Sequence, residues 1–304
     1  MNSYTFALVD VFTERPLAGN QVAVILNAEG LDDGQLQAIA QEFNYSETTF
    51  ILPPRQSKAD WRLRSFTKKA EVFGSGHHTL GAWWALAARG ALVLRDPETN
   101  FWQEVGESVL PVAIASEGGA PRRVAMTQSK PHFGDKLTDL VGLARALGLD
   151  PSDLGADLGA DFHLEKLEPQ AVSTGAMHLL TPVRSLSVLE RVRVDAERLV
   201  ELARPLGCEG CYLFSLETRE PNSAAHARAF FPGIGIAEDP ATGSAAGPLG
   251  ALLASRGLLR EGTWRVIEQG DEIGRPSRIE VRVSGDQVEI AGQSVIVGEG
   301  KLFL

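Results

Sequence analysis

The sequence predicts a mixed α/β protein built of two similar halves, and three observations carry that expectation. Short runs rich in β-branched and aromatic residues lie between turn residues, as strands do. Longer stretches repeat apolar residues at helical spacing. A glycine-opened helix also occurs twice, half a chain apart: Gly76 and Gly90 recur at the spacing of Gly243 and Gly257, in a chain of 304 residues.

Taken in order, strands are expected at residues 5–12, 22–26, 48–52, 61–66, 225–231 and 278–283, each bounded by turn formers. The first helical stripe is Leu36, Ile39, Ala40 and Phe43, with Asp32 or Asp33 placed to cap it. Leu80, Trp83, Trp84 and Ala87 form the second, closed by Gly90. Leu137, Leu140, Val141, Ala144 and Leu147 form the third, closed by Gly148, and a fourth runs over about 195–203 and ends at Pro205. The polar, turn-rich tract 149–159 reads as a surface connection. Gly118-Gly119-Ala120-Pro121 clusters glycine and proline between apolar strands and reads as the domain boundary. One lobe then covers residues 1–120, completed by a final strand near 295–304, and the other covers 121–294.

Composition narrows the function. Hydrophobic residues make up 44% and charged residues 22%, the balance of a globular chain rather than a disordered or collagen-like one. The formal charge of −10 opposes binding to nucleic acid or to an anionic membrane surface. The opening Tyr4-Thr5-Phe6-Ala7-Leu8-Val9-Asp10 reads as a strand rather than a leader, and no apolar run approaches the length of a membrane span. Two cysteines cannot build a disulfide framework, so a reducing, cytoplasmic setting is expected.

The repeated helix starts suggest a ligand. A helix N-terminus carries unpaired N–H groups and partial positive charge, and glycine lets a ligand approach that backbone closely. Two such starts facing one cleft would hold a small carboxylate without a lysine or a metal.

Three segments carry a specific resemblance. They are Gly19-Asn20-Gln21-Val22-Ala23-Val24 with Asn44-Tyr45-Ser46-Glu47-Thr48-Thr49-Phe50; Gly76-His77 with Thr79-Leu80-Gly81-Ala82; and Glu238-Asp239-Pro240-Ala241-Thr242-Gly243-Ser244-Ala245-Ala246-Gly247-Pro248-Leu249. In order and spacing the chain resembles the phenazine-biosynthesis, PhzF-like family. The resemblance implies a diaminopimelate epimerase-like fold: two pseudo-symmetric α/β domains with the active site in the cleft between them. It also implies a cofactor-independent, metal-free homodimeric isomerase whose family activity rearranges trans-2,3-dihydro-3-hydroxyanthranilate by moving a proton.

On the same resemblance Glu47 is the catalytic base, His77 and Asp239 share the catalytic site, and Asn20, Gly76, Thr242, Gly243 and Ser244 bind substrate. A base working between carbons operates best with its pKa raised towards neutrality, and Phe43, Tyr45 and Phe50 offer an apolar setting for Glu47. His77 sits in a first helical turn, where the dipole favours the neutral ring. Asp239 can position an amine or hydroxyl, and Ser244 can bind a carboxylate beside the Gly243 and Ser244 amides. Taken alone, each residue also has an ordinary reading: a solvated carboxylate for Glu47, a turn for Asp239-Pro240 and a helix cap for Ser244. The chain departs from the family pattern at Lys68, where proline is common, at Phe73-Gly74-Ser75, which shifts an aromatic by one position, and at His78, which reads as an exposed neighbour. These departures bear on substrate identity.

Other classes fit less well. Racemases of this fold use one cysteine at each helix start; here Ser75 stands on one side and Asp239 and Thr242 on the other. Cys208 and Cys211 form a C-x-x-C but read as core packing, since residues 211–214 look like a strand. Neither glycine-rich start matches a nucleotide-binding signature. No local histidine–carboxylate spacing marks a catalytic metal. A catalytically silent small-acid binder on the same fold is the non-enzyme alternative.

Overall fold

The computed structural model describes residues 2–73, 76–156 and 166–304. Ser75 of the first helix opening, with Gly74, and the end of the 149–159 tract lie outside the described residues. The chain divides into two compact units, Met1–Thr127 with Ala291–Leu304, and Gln128–Ile290.

In the first unit the strands are β1 (Ser3–Val11), β2 (Asn20–Ile25), β3 (Thr48–Leu52), β4 (Trp61–Phe66), β5 (Glu71–Val72), β6 (Glu98–Val105), β7 (Ser108–Glu117) and β8 (Ala120–Thr127), with helices α1 (Asp33–Phe43) and α2 (His77–Ala88). The C-terminal strand Ser294–Phe303 returns to pair antiparallel with β1, from Ser3 opposite Phe303 to Val11 opposite Ser294. β1 pairs antiparallel with β2, β2 runs parallel to β3, and β3 runs antiparallel to β4. Gly118 and Gly119 both have positive φ, 61° and 77°, and turn the β7–β8 hairpin. The glycine–proline cluster read as a boundary is therefore a hairpin turn, and the first unit continues to Thr127. A hairpin turn and a linker draw on the same residues, so composition alone does not separate them.

α1 is capped as expected: the Asp32 carboxylate accepts from Gln35 N at 2.9 Å, and Gln35 returns a bond to Asp32 N. Its stripe packs with Tyr4, Ile25, Phe50 and Phe66 on one side of the strands. α2 is different, because His77–Ala87 are all buried. A helix apolar all round must be enclosed on every side; α2 is lined by β1, β2, β3, β8 and the C-terminal strand.

The second unit comprises β9 (His132–Lys136), β10 (Gln170–Ser173), β11 (Met177–Pro182), β12 (Cys211–Ser215), β13 (Ser223–Phe231), β14 (Ile236–Asp239), β15 (Arg265–Gln269) and β16 (Ser277–Ser284), with β17 (Gln287–Gly292) leading back to the first unit. Its helices are α3 (Leu140–Leu147), α4 (Leu186–Arg191), α5 (Ala196–Ala203) and α6 (Gly243–Ser255). α3 starts at Leu140 because Asp139 caps it through Gly142 N at 2.8 Å, which leaves Leu137 outside the helix but packed on its core. The short α4, not evident in the sequence, is opened by Ser185. α3, α4 and α5 share one core with β12, and α6 lies against β10, β11 and β16. β12 is buried throughout.

The internal echo survives in detail. Gly90 and Gly257 both adopt φ +70°. Ala91 N bonds Leu86 O at 2.9 Å after α2, and Leu258 N bonds Leu253 O at 2.9 Å after α6. Each unit thus holds one enclosed, glycine-opened helix ended by the same left-handed glycine. Among the described residues no helix is long and apolar enough to cross a membrane.

Candidate active site

The first unit brings together Asn20, Glu47, Gly76 and His77. Gly19 holds φ +65°, and a Cβ there would stand 2.2 Å from Val11 O, so only glycine makes the turn that delivers Asn20 to the start of β2. Gly76 is the N-cap of α2, and its N–H donates to the Thr79 hydroxyl at 3.2 Å. Glu47 directly precedes β3, two positions from Thr49. The Thr49 hydroxyl donates to His78 O at 3.3 Å, which ties that strand to the first turn of α2.

This tie brings Glu47 Oε2 within 3.3 Å of His77 Nε2, with only 17% and 10% of the two side chains exposed. The separation is that of an ion pair, yet neither atom has an aligned hydrogen-bond partner, and both are sealed from solvent. His77 also bonds the Gln21 backbone; since Nε2 makes no hydrogen bond, that contact falls to Nδ1. Asn20 Nδ2 lies 3.5 Å from the same Nδ1. Nδ1 faces the Asn20 amide and the opposite ring nitrogen, Nε2, faces the Glu47 carboxylate.

Burial pushes the His77 pKa down to about 4, only partly offset by the Glu47 carboxylate. Burial pushes the Glu47 carboxyl upward, but His77, His78 and a hydrogen bond from Ser46 outweigh it and hold the group below its ordinary value. The expected rise towards neutrality is therefore not found. At neutral pH the pair is an ionised carboxylate beside a neutral imidazole, a form that can accept a proton.

His78 is not an exposed neighbour. It is 7% exposed, its ring meets that of His77 edge-on with centroids 5.6 Å apart, and Glu47, His77 and His78 each offer a ligand atom within 4.8 Å of the others. Lys68 is exposed, on the turn between β4 and β5, and Phe73 is 71% exposed.

The second unit gathers Asp239, Thr242, Gly243 and Ser244 at the start of α6. The Thr242 hydroxyl donates to Asp239 Oδ2 at 2.5 Å rather than capping the helix. The Gly243 and Ser244 amides lie in the first turn of the helix, where N–H groups have no intrahelical acceptor. Gln269, fully buried at the end of β15, ties the group together. Its Oε1 accepts from Tyr212 OH and Thr242 N, each at 3.0 Å, while Nε2 donates to Asp239 O at 2.7 Å and Thr242 Oγ1 at 3.0 Å. Arg228 grips Glu238, beside Asp239, with two bonds of 2.8 Å. Sequence reasoning missed Gln269, Tyr212 and Arg228; a glutamine ending an apolar strand was the one visible signal. Where α2 has His77 after its opening glycine, α6 has Ser244.

Cys208 and Cys211 are unpaired, buried members of the α3–α5 core. Burial drives the Cys208 thiol up to about 12 and the Cys211 thiol well above its ordinary value. Neither can serve as a thiolate base, and the core-packing reading of the pair holds.

Comparison with known proteins agrees across the chain. A family model described as phenazine biosynthesis-like protein matches residues 9–300. An uncharacterized isomerase of Clostridium acetobutylicum is 34% identical over 314 residues, covering 100% of this chain and 99% of the relative. The trans-2,3-dihydro-3-hydroxyanthranilate isomerase of Pseudomonas aeruginosa is 30% identical, covering 99% of this chain and 100% of that one. Among solved structures, a PhzF-family phenazine biosynthesis protein of Bacillus anthracis superposes with a TM-score of 0.88 at 29% identity, with 100% of both chains covered.

Proposed function

Because the chain belongs to the phenazine biosynthesis-like protein family, whose relatives named above are isomerases, we propose that it moves a proton between carbons of a small carboxylate-bearing metabolite, with Glu47 as the base. One observation carries this reading: Glu47 Oε2 and His77 Nε2 stand 3.3 Å apart, buried, with no other hydrogen-bond partner. A carboxylate kept ionised beside a neutral imidazole takes a proton from carbon and, once protonated, returns it to a second carbon without leaving the site. His77 supplies the neighbouring ring nitrogen that orients the carboxyl group. Asn20 and Gly76 fix the His77 ring and the start of its helix.

In this reading Thr242, Gly243 and Ser244 bind the substrate carboxylate through the open amides of α6, and Asp239 accepts from a substrate amine or hydroxyl. The reaction needs no cofactor, because the carboxylate both removes and restores the proton. The substrate class is that of the Pseudomonas relative's named substrate, a cyclic unsaturated amino acid. We place the working enzyme in the cytoplasm as a homodimer.

The test is a melting-shift screen of cyclic and unsaturated amino and hydroxy acids, followed by turnover of the hits in D2O. Deuterium incorporation at the migrating position is expected. A ligand that binds and stabilises the protein but never exchanges a proton would instead identify a silent binding protein.

A further inference from the structure

We propose that Glu47, His77 and His78 form a binding site for a divalent transition-metal ion of the zinc class, and that the ion excludes proton transfer while it is bound. The first support is geometric. Ligands held tetrahedrally at about 2.0–2.1 Å from zinc stand about 3.3–3.4 Å from one another, and Glu47 Oε2 and His77 Nε2 are 3.3 Å apart. The third ligand atom, from His78, lies within 4.8 Å of both, which puts all three donors around one position.

The second support is chemical. A carboxylate oxygen and an imidazole nitrogen face each other with no aligned hydrogen-bond partner and no access to solvent. Two buried polar atoms in that arrangement need a cation or a proton between them. The Gln21 backbone holds the far side of the His77 ring, as an outer partner holds a metal-binding histidine in one tautomer. Two imidazoles and one carboxylate are the donor set that zinc takes with one position left open. The backbone is fixed too, since Thr49 bonds His78 O at 3.3 Å. No local spacing shows this site, because Glu47 reaches the histidine pair only through the packing of β3 against α2.

An ion at this position occupies the Glu47 lone pair that would receive the proton, so it acts as a reversible inhibitor rather than a cofactor. Binding is read without substrate, so its outcome is independent of the proposed reaction. Zinc chloride titrated calorimetrically into protein freed of metal by EDTA and dialysis at pH 7 is expected to bind one ion per chain. His78→Ala and Glu47→Gln should each weaken binding at least tenfold, with melting in the absence of zinc as the folding control. Cobalt(II) titrated into the wild-type chain needs no variant: intense visible d–d bands, abolished by zinc, are expected from a site with fewer than six ligands. Absence of saturable binding, weak octahedral bands, or affinity retained in both variants would overturn the site. Where turnover is measurable, zinc should stop it and EDTA restore it; bound zinc with undiminished turnover would overturn the exclusion.

Discussion

Gln269→Leu removes the hub of the second unit's polar cluster. The substitution is close in volume but deletes four hydrogen bonds, from Tyr212 OH and Thr242 N to Oε1 and from Nε2 to Asp239 O and Thr242 Oγ1. Tyr212 and Gln269 are both fully buried, so no water replaces the lost partners. The Tyr212 hydroxyl and the Thr242 N–H would each be left unsatisfied, at about 1–3 kcal/mol apiece. The expected loss is about 2–6 kcal/mol, against about 1 kcal/mol for Tyr212→Phe, which removes one bond. The double variant should cost less than the sum of the two, because the orphaned hydroxyl is gone. Urea denaturation of the four proteins, followed by tryptophan fluorescence and circular dichroism, measures this. A loss below about 1 kcal/mol for Gln269→Leu, or strict additivity in the double variant, would refute the idea that Gln269 organises Asp239 and Thr242.

Other expectations follow from single features. Burial pulls His226 down, but hydrogen bonds to Glu268 at 2.7 Å and Glu272 at 3.0 Å outweigh it and raise its pKa to about 9. That contribution, up to about 3 kcal/mol, is complete below the unfolded value near 6.5 and is lost as pH rises through about 9. The melting advantage of wild type over His226→Gln should therefore shrink between pH 6 and pH 10; a constant gap would contradict it. Gly19→Ala, forced into positive φ against Val11 O, should lose at least about 2 kcal/mol in urea denaturation, and an unchanged midpoint would show that the turn can relax. Cys211→Ala should lower stability through the core cavity yet leave turnover intact; abolished turnover in a folded variant would restore a role for the thiol.

What the sequence made legible was local. Asp32 and Gly90 announce helix ends by residue type, and Glu47, His77 and Asp239 stand in motifs whose order is visible along the chain. What stayed hidden depends on partners distant in sequence. Gln269 draws its neighbours from β12, β14 and α6, so nothing adjacent to it marks it as a hub. His78 looked exposed because residues next to each other on a helix usually face different ways, but α2 is enclosed on every side. The same enclosure set the Glu47 pKa: aromatic neighbours suggested a raised value, whereas the imidazoles brought by α2 hold it down. Gly118 and Gly119 supplied positive φ for a hairpin, a need indistinguishable in composition from that of a linker.

The central claim, that Glu47 moves the proton, is tested most directly by Glu47→Gln. The amide is nearly isosteric and cannot act as a base, so melting should stay close to wild type while turnover falls about 10²–10⁴-fold. The measurement is deuterium incorporation from D2O into trans-2,3-dihydro-3-hydroxyanthranilate, or into whichever hit of the melting screen turns over. The account predicts exchange in wild type and near-silence in the folded variant. A folded Glu47→Gln protein that exchanges deuterium at close to the wild-type rate would contradict it and place the base elsewhere, with Asp239 the next residue to test.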